Sequence, residues 1–216
     1  RGYETARSLA NRGDNPEPVE RMMRDSRINR IFEGSTEIMR LYLAREALDP
    51  HLRLAGGAMD SRLSLGTRLL TAIKAGIHYS IWYPGQYLPS LDTSPSGTSR
   101  RTRKALRYVE RTSRRLSRSL IHAMALHGPA LEKRQLLLGR LVDVAGELFA
   151  LTSSHLRADA ILAGKEACEE IKKEDLPTIL AYLDARTRNR VRGLFEELSN
   201  PADGKGRRLA SKILAD

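Results

Sequence analysis

Cysteine is almost missing from this chain. Cys168 is the only one in 216 residues, so no disulfide can form within it. Aromatic residues are scarce at 5%, while Ala, Leu and Arg abound, which disfavours a β-sheet protein and favours helices. No apolar run approaches the roughly 20 residues that a bilayer crossing needs. Neither a phosphate-loop nor a dinucleotide glycine fingerprint is present. The five histidines, His51, His78, His122, His127 and His155, are scattered without Cys or acid at ligand spacing, so the pattern predicts no metal site. Acids are outnumbered, 26 against 37 Lys and Arg, which leaves a net charge of +11. No secretory leader pattern is visible, and the default expectation is cytoplasmic.

Against that background one segment carries chemistry. In Arg24 to Arg40, RDSRINRIFEGSTEIMR, Met23, Ile28, Ile31 and Phe32 form an apolar helical stripe, and Ile38, Leu41, Tyr42 and Ala44 resume one afterwards. Glu33 sits at the joint. Gly34 suits the residue that ends a helix, Ser35 suits the cap of the next, and Glu37 falls in that helix's first turn near its positive end. Such a joint aims a carboxylate and several backbone N–H groups at one small volume, as abstraction of a proton beside a carbonyl requires. With Ile31, Phe32 and Ile38 around it, the carboxyl is expected to be partly desolvated and its pKa raised.

The same residues carry a family resemblance. The run Pro18 to Ile28, PVERMMRDSRI, followed by Ile31 to Arg40, IFEGSTEIMR, resembles the C-terminal signature of the acyl-CoA dehydrogenases, and Arg1 to Glu4 is similar to the end of that family's glycine-rich GGxGY loop. The resemblance implies FAD as cofactor and an acyl-CoA thioester as substrate. It implies Glu33 as the base that takes the α-proton, Gly34 against the substrate, and Ser35, Thr36 and Glu37 at the FAD. It further implies a homo-oligomer and an electron-transfer flavoprotein as oxidant. Ser35 replaces the family's usual Thr but keeps a hydroxyl; Met39 replaces the usual Gln and is given no role. Since the family binds flavin between three domains and this chain opens within the last, the expectation is a C-terminal fragment, inactive alone, of an enzyme of fatty-acid β-oxidation or a related pathway.

The predicted fold is all-α. Residues 1–52 are expected as the end of the dehydrogenase C-terminal helical domain, 53–64 as a linker, and 65–216 as a helical extension. Helices are expected over 65–81, broken by Tyr83-Pro84-Gly85, then over 101–127, 130–163 and 175–198, with a tail helix over 206–214, arranged as an up-down bundle. The layout is similar to the extra helical domain of the very-long-chain branch of the acyl-CoA dehydrogenases. That branch directs attention to Ile77 to Leu88, which holds Trp82 and three tyrosines and fits either packing or subunit contact, or a membrane surface. A second feature is the row Arg103, Arg107, Arg111, Arg114 and Arg118, with Leu106, Val109, Leu116 and Leu120 opposite. This row fits a solvated helix face, or contact with lipid headgroups, CoA phosphates or nucleic acid. A basic helical nucleic-acid-binding or membrane-surface module without catalysis is therefore the competing reading, although no aromatics interleave the arginines as base stacking requires.

Overall fold

The computed structural model describes residues 6–13, 19–28, 31, 35–88, 94–167 and 171–214, and among them every regular element is a helix. In chain order they are α1 (Ala6–Asn11), α2 (Val19–Arg27), α3 (Thr36–Met59), α4 (Leu65–Gly85), α5 (Arg100–His127), α6 (Gln135–Leu162), α7 (Leu176–Glu196) and α8 (Pro201–Ile213). Short 3-10 turns cover Gly128–Lys133 and Glu197–Ser199. The all-α expectation holds. The chain forms two compact units, Arg1–Leu43 and Ala44–Asp216. No helix among the described residues is long and apolar enough to cross a membrane.

Local chemistry explains where the helices start and stop. The hydroxyls of Ser64 and Ser99 accept the amides of Thr67 and Thr102 at 3.2 Å, and the Asn200 side chain accepts that of Ala202 at 2.9 Å. At the end of α6, Gly164 turns left-handed with φ 71°; its amide donates to Ile161 O and that of Lys165 to Ala160 O, which satisfies two terminal carbonyls. At the end of α5, Gly128 holds φ 49° and ψ −134°, a conformation that a side chain resists.

Four boundaries differ from the sequence reading. Residues 53–59 are not linker but the last turns of α3, supported by the Arg53–Asp49 ion pair one turn apart at 2.6 Å; the non-helical connection is only 60–64. There the Asp60 carboxylate accepts the Arg62 amide at 3.0 Å and its guanidinium at 2.9 Å. These bonds hold the Asp60 pKa down to about 2. Pro84 does not break α4, which continues to Gly85 because outside donors take the carbonyls at its end: Arg114 donates to Gly85 O at 3.0 Å and Arg118 to Gln86 O at 2.7 Å. After Pro129 the chain makes a 3-10 turn, so α6 begins at Gln135 rather than 130. Finally, Asn200-Pro201 starts α8 as well as stopping its predecessor, since proline at a first helical position gives up no bond that the helix would have made.

In the second unit α5, α6 and α7 build the core in up-down-up order. Ser99 N donates to Asp159 at 2.9 Å and Thr102 lies beside His155, so α6 runs antiparallel to α5. Asp143 faces Arg190 at 3.9 Å and Glu147 faces Arg186 at 3.4 Å, which sets α7 antiparallel to α6. Val144, Leu148, Val191, Leu194 and Phe195 are buried together at one end, with Tyr108, Val109, Leu116 and Leu198 packed on them; Ala158, Ile161, Leu176 and Leu180 close the other. Arg140, its side chain 15% exposed, ties α6 to α8 through Asp203 and to Glu197 at 3.2 Å. The Asp203 carboxyl is pulled below its usual range by the Arg140 hydrogen bond. Two bonds tie α4 to its neighbours: His51 of α3 bonds Tyr79 at 2.9 Å, and Tyr83 bonds His122 of α5 at 2.7 Å.

Candidate active site

Glu33 and Gly34, the expected base and substrate contact, lie outside the described residues. The residues on either side define the joint. α2 ends at Arg27, Ile31 N donates back to Ile28 O at 2.9 Å, and α3 begins at Thr36. Two separate helices thus bracket the glutamate. Ser35 caps α3 as its sequence suggests: its hydroxyl accepts the Ile38 amide at 3.4 Å and its carbonyl accepts the Met39 amide at 3.0 Å. Glu37 stands in the first turn, exposed, where a negative charge complements the helix's positive end. Ser35 and Thr36 are half-buried. The amides of Thr36 and Glu37 precede the first intrahelical bond, so the end of α3 offers hydroxyls and N–H donors side by side.

Of the three apolar neighbours expected around the carboxyl, Phe32 lies outside the described residues. Ile31 is 75% and Ile38 60% exposed, and in α2 Met23 is also exposed. Asp25 pairs with Arg21 at 3.7 Å, both well exposed, an interaction worth about half a kcal/mol or less.

In the second unit, the aromatic stretch Ile77 to Leu88 turns out to be the last turns of α4 and the bend after it. Trp82 packs edge-on to His51 and Tyr79, and Tyr83 and Tyr87 lie tilted against one another. Burial lowers the His51 pKa and raises that of Tyr79. Packing of α4 on its neighbours accounts for Tyr79, Trp82 and Tyr83. The arginine row also divides by use: Arg114 and Arg118 serve the end of α4, Arg114 being paired in addition with Glu110 at 2.8 Å and Arg118 stacked 4.1 Å over Tyr87.

One buried residue escaped the sequence reading. His155 is fully buried between Thr102, its Nδ1 3.4 Å from that hydroxyl, and Asp184, its Nε2 3.4 Å from the carboxylate. Its signal was periodic: positions 144, 148, 151, 155 and 158 fall on one helix face, and four of the five are apolar.

Residues 3–48 match the family model for the acyl-CoA dehydrogenase C-terminal domain. This segment is thus similar to the C-terminal domain of the acyl-CoA dehydrogenases. Ser35, Thr36 and the start of α3 fall inside the matched acyl-CoA dehydrogenase segment, as does Glu33. Similarity continues beyond it. The probable acyl-CoA dehydrogenases FadE10 of Mycobacterium bovis and of Mycobacterium tuberculosis are each 40% identical over 220 residues, an alignment covering 99% of this chain and 32% of the relative. Sequence similarity to those relatives therefore extends past residue 48, and the chain spans about a third of their length. No solved structure matches it at a significant level.

Proposed function

We propose that this chain supplies the C-terminal part of an FAD-dependent acyl-CoA dehydrogenase, in which Glu33 removes the α-proton of an acyl-CoA thioester. The observation that carries the reading is a glutamate standing between two helices, directly before a serine-capped helix start, inside the segment that matches the family. Ser35, Thr36 and the first amides of α3 form a donor set suited to the polar groups of a flavin cofactor, and Glu37 adds an acceptor. These residues fit FAD. When bound, FAD supplies the acceptor for the hydride that leaves the β-carbon. The part of this chain is the proton: the Glu33 carboxylate takes it from the α-carbon, becomes a neutral carboxylic acid, and the electron pair of the broken C–H bond forms the α,β double bond. Gly34, without a side chain, lets the thioester approach the backbone.

The same reading assigns residues 1–52 to the end of the dehydrogenase C-terminal helical domain and 65–216 to an extension of the very-long-chain type. It includes an electron-transfer flavoprotein as oxidant, a homo-oligomer, a role in fatty-acid β-oxidation, and a cytoplasmic site with peripheral membrane contact as a variant. The decisive experiment is Glu33→Gln in the intact enzyme, read by visible spectrum and by turnover with acyl-CoAs of graded length. Flavin should stay bound while turnover falls by at least about 10²- to 10⁴-fold, the usual contribution of a positioned base. Near-normal turnover would refute the assignment.

A further inference from the structure

The second unit carries a charged surface that the dehydrogenase reading does not use. α5 and α7 lie side by side and parallel: Arg101 donates to Pro177 O, the Arg188 guanidinium lies 4.0 Å over the Tyr108 ring, and the Arg115 guanidinium 3.9 Å over Phe195. Along the groove between them stand Arg101, Lys104, Arg111 and Arg115 from α5 and Arg188 and Arg192 from α7. All are exposed except Arg188, which is half-buried.

Several other cations of the unit keep different company from these six. Arg114, Arg140, Arg157, Arg186 and Arg190 each face a carboxylate. None of the six has one within ion-pair distance among the described residues; the five arginines meet a carbonyl, two rings, Asn189 and, for Arg111, the Arg107 carbonyl. The acids of the two helices are turned elsewhere, Glu110 to Arg114 and Asp184 to His155, with Glu196 exposed at the far end of α7. A guanidinium stacked on a ring keeps its N–H edge outward and has already lost much of its rotamer freedom, so it is set to grip a planar anion in a bidentate manner.

The groove also selects among anionic partners. The rings that would stack on bases, Tyr108 and Phe195, are covered by the arginines themselves. Between residues 100 and 118 no large apolar side chain is exposed, so nothing there could enter a bilayer. We infer that the α5–α7 groove is a docking surface for an acidic, carboxylate-rich segment of another protein. From Arg101 to Arg115 the helix rises about 21 Å, which six or seven residues of extended chain would span.

The test is the affinity of the chain for a heptaglutamate peptide, compared with a DNA duplex and with phosphatidylserine vesicles, at low and high salt. The triple variant Lys104→Glu, Arg111→Glu, Arg192→Glu should weaken peptide binding by about tenfold or more, with helical circular dichroism unchanged. The control Lys165→Glu, Arg208→Glu, Lys212→Glu carries the same charge change outside the groove and should change it less than about threefold. If the reversed variant loses helicity, the Gln versions of the same three positions give the same comparison. Equal losses in the two triples would reduce the effect to net charge and overturn the proposal. So would tighter binding of the duplex or the vesicles than of the peptide.

Discussion

Leu148 and Phe149 are adjacent in sequence and opposite in fate, which makes them a sharp test of the three-helix core. Leu148 is 3% exposed, inside the cluster formed with Val144, Val191, Leu194 and Phe195; Phe149 is 74% exposed. Leu148→Ala deletes three carbons from a closed site. At about 0.8 kcal/mol per buried methylene the transfer loss is about 2.4 kcal/mol, and the cavity left between α6 and α7 raises the total to about 3–4 kcal/mol. Urea unfolding followed by far-ultraviolet circular dichroism reads this directly. With a slope of about 2–3 kcal/mol per molar, the midpoint should fall by about 1–2 M at unchanged slope. Phe149→Ala removes a larger side chain, yet should move stability by no more than about 0.5 kcal/mol. A midpoint shift for Phe149→Ala equal to that of Leu148→Ala would refute the packing of α6 described above, as would a loss below about 1 kcal/mol for Leu148→Ala.

Two further outcomes follow from single positions. Gly128 ends α5 at φ 49° with only the tip of Met59 near a would-be Cβ, at 3.9 Å, so Gly128→Ala should cost about 1–3 kcal/mol through backbone strain rather than crowding, measured as the same urea midpoint. Burial, and to a smaller degree the charge of His78, depresses the pKa of His51; burial, then Arg134 and Arg207, depresses that of His127. The unfolded chain therefore takes up these protons first. Their contribution to stability is fully present above 6.5 and is lost as pH falls below that value, so unfolding midpoints should drop on acidification and drop less in His51→Gln.

The helix ends were written in short local codes. Ser99, Gly128-Pro129, Gly164 and Asn200 act through their own φ preference or a hydrogen bond a few residues away, and such signals need no tertiary partner. At one boundary a distant residue intervened. Pro84 was expected to stop α4, but Arg114 and Arg118, some thirty positions on, donate to the carbonyls at its end. The candidate base was likewise legible only as a pattern: its place between two helices follows from Gly34 and Ser35, whereas an apolar setting was read from Ile31 and Ile38, which this chain leaves exposed. A row of arginines on one helix face looks uniform in sequence because identical side chains give no hint of what each will meet.

By itself, then, the sequence determined the helical class, most helix ends, and the family segment holding Glu33, since all of these depend on interactions within a few residues or on a motif read in order. Only the tertiary structure decided which cations are neutralised and which are not, and which of the histidines is sealed inside. The parallel approach of α5 and α7 covers Tyr108 and Phe195 with guanidinium groups, and the antiparallel approach of α6 encloses His155. Charge and burial are properties of neighbours in space, and positions 102, 155 and 184 become neighbours only when three helices pack.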